Sequence, residues 1–212
     1  MSEDLYLVPK LKEFCCHRSE LIVKKSRFIA SVFHTPSVDV AKQSIDLVCK
    51  EFTDARHNCF AYNVTKPGST AFCGCSDDGE PHGTAGRPML NVLIHSEVGE
   101  ICVVVTRYFG GILLGTGGLV KAYQDSVKQA LETLPSAPKM ILTTVNLQID
   151  HRYVTVLLRL LQSMQGEIIA SSFAEKAHYQ VGFPASEVEN LKRQLMELTK
   201  GQLEFKVQEE NS

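Results

Sequence analysis

Glycine is distributed unevenly along this chain of 212 residues, and this constrains the fold more than any other feature of the sequence. Ten of the 14 glycines lie between Gly74 and Gly118. Because glycine lacks a Cβ atom, it concentrates where the backbone takes a positive φ or approaches another group closely. These glycines flank the β-branched run EICVVVTRYFG on both sides. The pattern therefore predicts two tight loops beside one buried central strand.

The first loop, SDDGEPHGTAGRP at residues 76–88, has almost no apolar content, and we call it the acidic loop. Its candidate binding residues are the three carboxylates and one hydroxyl of Asp77, Asp78, Glu80 and Thr84. Carboxylates are suited to hold Mg²⁺, which often bridges to phosphates. Alternatively, His82 beside a carboxylate would suit a general base. Asp-Gly is most often a plain turn, and we prefer a turn to catalysis here.

The second stretch, RYFGGILLGTGGLVKAY at residues 107–123, combines cations with backbone amides, and we call it the amide-rich segment. Its candidate binding residues are Arg107, Tyr108, Gly110, Gly111, Gly115, Thr116, Gly117, Gly118 and Lys121. The amides of GTGG before a predicted helix would face an anion, for which phosphate is the obvious candidate. The spacing is neither that of a P-loop nor that of a Rossmann motif. The alternative is that the glycines only permit tight turns and close packing.

Basic and aromatic side chains near these stretches suggest a binding surface. Lys24, Lys25 and Arg27, joined by Arg56 and Lys121, are the best candidates for a basic patch. Exposed Tyr108 and Phe109 beside Arg107 would stack on bases or anchor a protein partner. A solvated turn is the plainer interpretation of the two lysines.

Local patterns predict further elements in the first part of the chain. They are a hairpin or a bent strand at 20–34, helices at 37–51, 87–95 and 119–134, and strands at 57–64 and 71–76, followed by a linker with Pro135 and Pro138. After this linker the pattern becomes strand, helix, strand, strand, helix, strand, the βαββαβ order of ferredoxin-like domains. The predicted ranges are 140–150, 152–162, 166–171, 176–183, 186–199 and 202–208.

Composition excludes several classes of protein. The formal charge of −2 gives no support to a strongly basic nucleic-acid binder. No stretch approaches the roughly 20 apolar residues of a membrane span, and the N-terminus lacks a signal-peptide profile. The seven scattered cysteines fit reduced thiols in the cytoplasm. C-x-C spacing at Cys73 and Cys75 does not suit zinc, so we predict neither a metal nor a cofactor.

Four blocks in the sequence match a known family. KKSRFIA, DARHNCFAY, SDDGEPHGTAGRPML and VVVTRYFGGILLGTGGLVKAY resemble, in order and spacing, the signature blocks of the YigZ/IMPACT family across about residues 20–134. The region after Met140 looks like the accessory domain of the bacterial YigZ-like branch. The family motif falls on Asp77, Asp78, Gly79, Glu80, Pro81, Gly83, Thr84, Arg107, Tyr108, Gly110, Gly111, Leu114, Gly115, Gly117, Gly118 and Lys121.

The resemblance implies an α+β protein of two domains. Residues 1–136 would form an N-terminal domain resembling the second domain of a small-subunit ribosomal protein. Residues 139–212 would form a ferredoxin-like βαββαβ domain similar to the C-terminal domain of elongation factor G. Eukaryotic members of the family regulate translation by competing for a protein that activates a stress-responsive kinase, whereas bacterial members have no settled activity.

We therefore expect a non-enzymatic binding protein that acts on translation. Its glycine-rich surface would bind RNA or a ribosome-associated protein, with a phosphate-containing ligand as a further expectation. The alternative is an enzyme that acts on a nucleotide or a phosphorylated small molecule with a divalent metal. The sequence leaves the oligomeric state open.

Overall fold

The computed structural model describes residues 5–164 and 166–208 and divides into two compact units. The first unit is Tyr6–Lys139, and the second combines Leu5 with the described residues from Met140 onward. Within the described ranges, no helix combines the length and the apolar character that a membrane span requires.

The first unit is built around a five-stranded antiparallel sheet with helices on both faces. Its strands, in spatial order, are β2 (His17–Val23), β3 (Ser26–His34), β6 (Ile101–Tyr108), β4 (His57–Asn63) and β5 (Cys73–Ser76). Its helices are α1 (Val38–Glu51), α2 (Gly86–Ile94) and α3 (Gly115–Glu132). The strand predicted to be central is central, and every residue of β6 except Tyr108 is buried.

Alternating side chains of β6 form two separate cores, one on each face of the sheet. Val103 and Val105 pack with residues of α2 and α3, including Leu90 and Tyr123. Cys102 and Val104 pack on the other face with Ala41, Ile45 and Val48 of α1. A strand that is apolar on both faces requires such cover on both sides, which explains why the VVV run does not alternate with polar residues.

The predicted hairpin is confirmed, with a two-residue turn at Lys24 and Lys25. Both lysines have positive φ angles, 47° and 67°, as a turn matching the right-handed twist of the flanking strands requires. Helix α1 begins after Ser37, whose hydroxyl accepts a hydrogen bond from the amide of Val40 at 3.3 Å. Serine is among the residues preferred at this N-cap position, because its side chain satisfies an amide of the first turn.

Two predicted features are wrong. GTGG was predicted to be a loop before a helix at 119–134, but α3 begins at Gly115. The positive φ of Gly115, 73°, makes the turn into the helix, and Gly118 leaves room for Leu114, because a Cβ atom there would lie 3.1 Å from the Leu114 Cβ. The predicted linker is also a strand, β7 (Ser136–Met140), which pairs with β1 (Leu5–Pro9) in a two-stranded ribbon. A sheet edge tolerates Pro138.

The second unit has the predicted βαββαβ order. Its elements are β8 (Leu142–Ile149), α4 (Val154–Ser163), β9 (Glu167–Phe173), β10 (Ala177–Pro184), α5 (Val188–Leu198) and β11 (Leu203–Val207). The spatial order β11-β8-β10-β9 is antiparallel throughout. Its core joins Val145, Leu147 and Ile149 of β8 to Leu157 and Leu191 of the helices.

Candidate functional site

A buried polar network joins the acidic loop to the amide-rich segment. Glu80 accepts hydrogen bonds from Nη1 of Arg107 at 2.6 Å and from the hydroxyl of Tyr123 at 2.9 Å. The thiol of Cys59 donates to the same tyrosine hydroxyl at 3.3 Å. Glu80 and Arg107 are only 7% and 8% exposed. The two stretches that the sequence singled out are therefore in contact, and a charged pair holds them together.

This network corrects the expected role of Arg107. The sequence placed Arg107 on an exposed surface, but its guanidinium is buried with its centre 5.6 Å from the ring of Phe28 and 5.8 Å from the ring of Phe109. Glu80 and Thr84 are also buried, and the Thr84 hydroxyl donates to the carbonyl of Pro81 at 2.6 Å. None of these three residues lies on the solvent-facing surface. The sequence alone does not show which residue each of these three side chains contacts, and those contacts determine its burial.

Asp77 organises the start of α2. Its carboxylate accepts hydrogen bonds from the amides of Gly83, Ala85 and Gly86 at 2.7, 3.0 and 2.9 Å. Burial alone would raise the pKa of Asp77, but the three amide donors, with a smaller contribution from His82, hold that pKa below its ordinary value. The charged form is therefore the one that the loop stabilises.

Asp78 ties the acidic loop to β4. Its Oδ2 accepts from the amide of Asn58 at 2.6 Å, and its carbonyl accepts from Nδ1 of His57 at 2.8 Å. Together with Asp77 and Glu80, it completes three carboxylates that each bond to a different part of the protein. This arrangement fits a structural role better than shared ligation of one cation. Among the described residues no group of three or more His, Cys, Asp or Glu side chains is arranged to hold a metal ion.

The amide-rich segment lies against the tip of the β2–β3 hairpin. A Cβ atom on Gly110 would lie 2.0 Å from the carbonyl carbon of Lys25, so only glycine permits this contact. The amide of Gly110 also donates to the hydroxyl of Ser26 at 3.1 Å. Lys24 and Lys25, both exposed, are thereby brought beside the segment, as the predicted basic patch requires.

Exposed apolar side chains lie on both sides of Gly110, and only Phe109 among them was singled out from the sequence. Phe109, Ile112 and Leu113 are 50%, 42% and 83% exposed. Three large apolar side chains left in water within five residues are typical of a contact surface. The available signal was the apolar run ILL inside a loop bounded by glycines.

The first two turns of α3 contribute exposed backbone and one exposed lysine to the candidate site. Gly115, Thr116, Gly117 and Lys121 are all exposed. Gly117 has no positive φ, and a Cβ atom there would meet nothing within 4 Å, so the fold does not require glycine at this position. Lys121 lies four residues later, on the same side of the helix. Gly111, with a φ of 85°, has the same open surroundings but needs its positive φ.

Tyr108 lies on the α1 side of the sheet rather than with Phe109. Its hydroxyl donates to Oδ1 of Asp54 at 2.7 Å. Arg27, which pairs with Glu20 at 2.8 Å, has its guanidinium centre 5.7 Å from the Tyr108 ring. The hydrogen bond to Asp54 raises the pKa of Tyr108. Tyr108 and Arg27 therefore have partners in the protein, whereas Phe109 remains half exposed.

The surface that remains open after these assignments consists of the hairpin tip, the loop after β6 and the start of α3. We call it the open surface, and its members are Lys24, Lys25, Phe109, Gly111, Ile112, Leu113, Gly115, Thr116, Gly117 and Lys121. It keeps Gly111, Gly115, Thr116, Gly117 and Lys121 of the predicted site. Gly110 and Gly118 support it from inside, since both are only partly exposed.

Comparison with known proteins covers both units. The Impact N-terminal domain matches residues 24–131, and DUF1949, a domain of unknown function, matches residues 147–202. The chain is 45% identical to the IMPACT family member YigZ of Escherichia coli, over 89% of this chain and 92% of that protein. It is 40% identical to an IMPACT family member of Haemophilus influenzae, over 93% and 94% of the two chains. A solved crystal structure of a hypothetical protein matches with a TM-score of 0.72 and 41% identity, over 98% of this chain and 99% of that one.

Proposed function

The chain belongs to the IMPACT family, and from that premise we propose that it is a non-enzymatic binding protein that acts in translation. Its partner is RNA or a ribosome-associated protein, and the open surface makes the contact. One observation carries the proposal. The apolar side chains of Phe109 and Leu113, 50% and 83% exposed, lie in a segment that contacts the hairpin tip of Lys24 and Lys25. Exposed apolar groups beside cations are typical of a surface that binds an anionic or mixed partner.

The cations of the open surface are available to a partner. Lys24, Lys25 and Lys121 are exposed, and none of them forms an ion pair with another described residue. The overall charge of −2 therefore hides a local excess of positive charge. Such a patch attracts phosphates without making the whole protein basic.

The proposed likeness of the two units to translation proteins adds support. The first unit would share the fold of the second domain of a small-subunit ribosomal protein. The spatial order β11-β8-β10-β9 supports a ferredoxin-like fold for the second unit, similar to the C-terminal domain of elongation factor G. Fold likeness by itself assigns no activity, so the open surface remains the stronger argument.

The alternative of a metal-dependent enzyme receives no specific support from the acidic loop. The carboxylate of Asp77 accepts hydrogen bonds from three backbone amides, and that of Asp78 accepts one. Glu80 is buried and forms an ion pair with Arg107. Each carboxylate that the enzyme would need for catalysis or for a cation already stabilises the fold. We therefore prefer binding to catalysis.

Co-sedimentation with ribosomal fractions and with extracted ribosomal RNA tests the proposal. The test variant is Lys24→Glu with Lys121→Glu. The matched control is Lys42→Glu with Lys128→Glu, which changes the charge equally at exposed positions outside the open surface. We expect the control to bind like the wild type and the test variant to bind about tenfold more weakly. If all three proteins bound the ribosomal fractions and the RNA equally, the open surface would be excluded as the contact site. If the wild type bound neither, the proposed function in translation would be excluded.

A further inference from the structure

A small pocket opens between the start of β4 and the amide-rich segment, at one end of the central sheet. Its volume is about 170 Å³, and it is lined by Arg56, His57, Arg107, Phe109 and Leu113. Arg56 and His57 stand at the start of β4, and Arg107 stands at the end of the neighbouring β6, where His57 and Arg107 are paired in register. The pocket therefore lies beside the open surface and shares Phe109 and Leu113 with it.

Arg107, one of the residues that line the pocket, carries an unsatisfied hydrogen-bond donor. Nη1 of Arg107 donates to Glu80, but Nε is buried and has no hydrogen-bond partner within the part of the chain that the structure describes. The side chain is 9% exposed. An unpaired buried N–H is costly, and native proteins commonly satisfy such a group with water or a ligand. Arg107 thus offers hydrogen-bonding capacity that Glu80 does not use.

A second guanidinium, that of Arg56, also lines the pocket. Arg56 is exposed and makes no ion pair with another described residue. His57 donates its Nδ1–H to the carbonyl of Asp78 at 2.8 Å, so this proton is not available to a ligand. No carboxylate is among the lining residues. A ligand that satisfies two guanidinium groups here must present several acceptor oxygens, as a phosphate does.

The apolar side chains that line the pocket indicate which chemical group is attached to the phosphate. Phe109 and Leu113 lie beside the arginines and remain 50% and 83% exposed. A flat, partly apolar ring that stacks on Phe109 would bury both side chains, and nucleobases stack on aromatic rings in this way. About 170 Å³ is less than the roughly 300 Å³ of a pocket for a drug-sized ligand. The pocket is therefore too small to enclose a whole nucleotide, but it suits a phosphate group, with the base stacked on the half-exposed Phe109 and the rest of the RNA chain outside.

We infer that this pocket binds one nucleotide of single-stranded RNA. Its phosphate lies against Arg56 and Arg107, and its base stacks on Phe109 beside Leu113. The inference rests on the proposed function and narrows it, because it chooses RNA over protein and adds Arg56 and His57 to the site. Duplex RNA does not fit, since its bases are stacked inside the helix and cannot reach Phe109.

Fluorescence anisotropy with a labelled single-stranded oligouridylate tests the inference. Arg56→Gln removes the phosphate contact, and Phe109→Ala removes the stacking platform. Their matched controls are Arg159→Gln and Phe173→Ala, at exposed positions of the second unit. We expect each pocket variant to bind about tenfold more weakly than its control. Arg56→Gln also lowers the slope of log affinity against log salt by about one, whereas Phe109→Ala leaves that slope unchanged.

The outcomes separate this inference from the proposed function. Pocket variants that bind RNA like their controls overturn the nucleotide site, and the function stands if Lys24→Glu with Lys121→Glu still weakens RNA binding. A wild type that binds a ribosomal protein but no RNA overturns the inference alone. Tighter binding of a duplex than of the single strand also contradicts the stacking role of Phe109. A wild type that binds neither RNA nor ribosomal fractions overturns both.

Discussion

The substitution Glu80→Ala tests how the two stretches of the site are held together. It removes the carboxylate that accepts from Arg107 at 2.6 Å and from the Tyr123 hydroxyl at 2.9 Å. The two charged side chains are 9% and 3% exposed. Water can therefore replace the lost carboxylate only in part, and the guanidinium is left mostly buried beside two phenylalanine rings.

The expected cost follows from this burial. Removing one partner of a buried ion pair typically costs about 3–5 kcal/mol, because the remaining charge is uncompensated. We expect a loss of that size in the free energy of unfolding of the first unit. Glu80→Leu combined with Arg107→Met should lose much less, since replacing both charges with apolar groups of similar volume is often close to neutral.

Hydrogen exchange of the β6 amides provides the measurement. Val103, Val104 and Val105 are fully buried in the central strand, so their exchange reports the opening of the first unit and not of the second. Glu20→Ala serves as the control, because its pair with Arg27 is about half exposed and should leave the exchange unchanged. A loss below about 1 kcal/mol in the free energy of unfolding for Glu80→Ala would show that the pair of Glu80 and Arg107 behaves as a solvated surface pair and not as a buried one.

Three further predictions concern glycine, pH and thiols. Gly117→Ala should raise the free energy of unfolding in urea by about 0.5–1 kcal/mol yet weaken partner binding. Gly110→Ala should lower the free energy of unfolding, because its Cβ would overlap Lys25. The same change in stability for both variants would contradict the different roles of the two glycines. The pKa of Asp77 is lowered by its amide donors despite burial, so its stabilisation is present at neutral pH and is lost as the pH falls through the lowered value. The stability difference between the wild type and Asp77→Asn should therefore shrink below about pH 4, and a constant difference would be inconsistent with this. Burial raises the pKa of Cys59 to about 12 and also raises that of Cys102. Mass spectrometry after brief alkylation of the native protein should find exposed Cys15 modified and these two thiols intact, and early modification of Cys59 would contradict its burial.

Much of the fold could be predicted from local sequence. The β-branched run of β6, the lysine turn of the hairpin and the βαββαβ order each follow from patterns within about ten residues. The start of α3 could not be predicted in this way, because GTGG reads as a loop. The helix is held by the packing of Leu119, Tyr123 and Val127 in the core of the first unit, and tertiary packing of this kind overrides the low helix propensity of glycine.

The sequence singled out the two stretches of the candidate site but not the contacts between them. The burial of Arg107 depends on Glu80 and Tyr123, which meet it only through the register of the sheet and the packing of α3. A single sequence does not show such long-range pairs. For the same reason His57, which begins an ordinary strand, was not recognised as a site residue, and Arg56 was named only as a member of the basic patch.

The most direct test of the central claim is a hydrogen-exchange footprint of the protein with and without ribosomal fractions that it binds. With the ribosomal fractions bound, we expect slower exchange for the amides of residues 109–121 and of the hairpin tip at Lys24 and Lys25, and little change in the exchange of β10. Protection confined to the second unit, with unchanged exchange at residues 109–121, would contradict the proposal that the open surface contacts the translation partner.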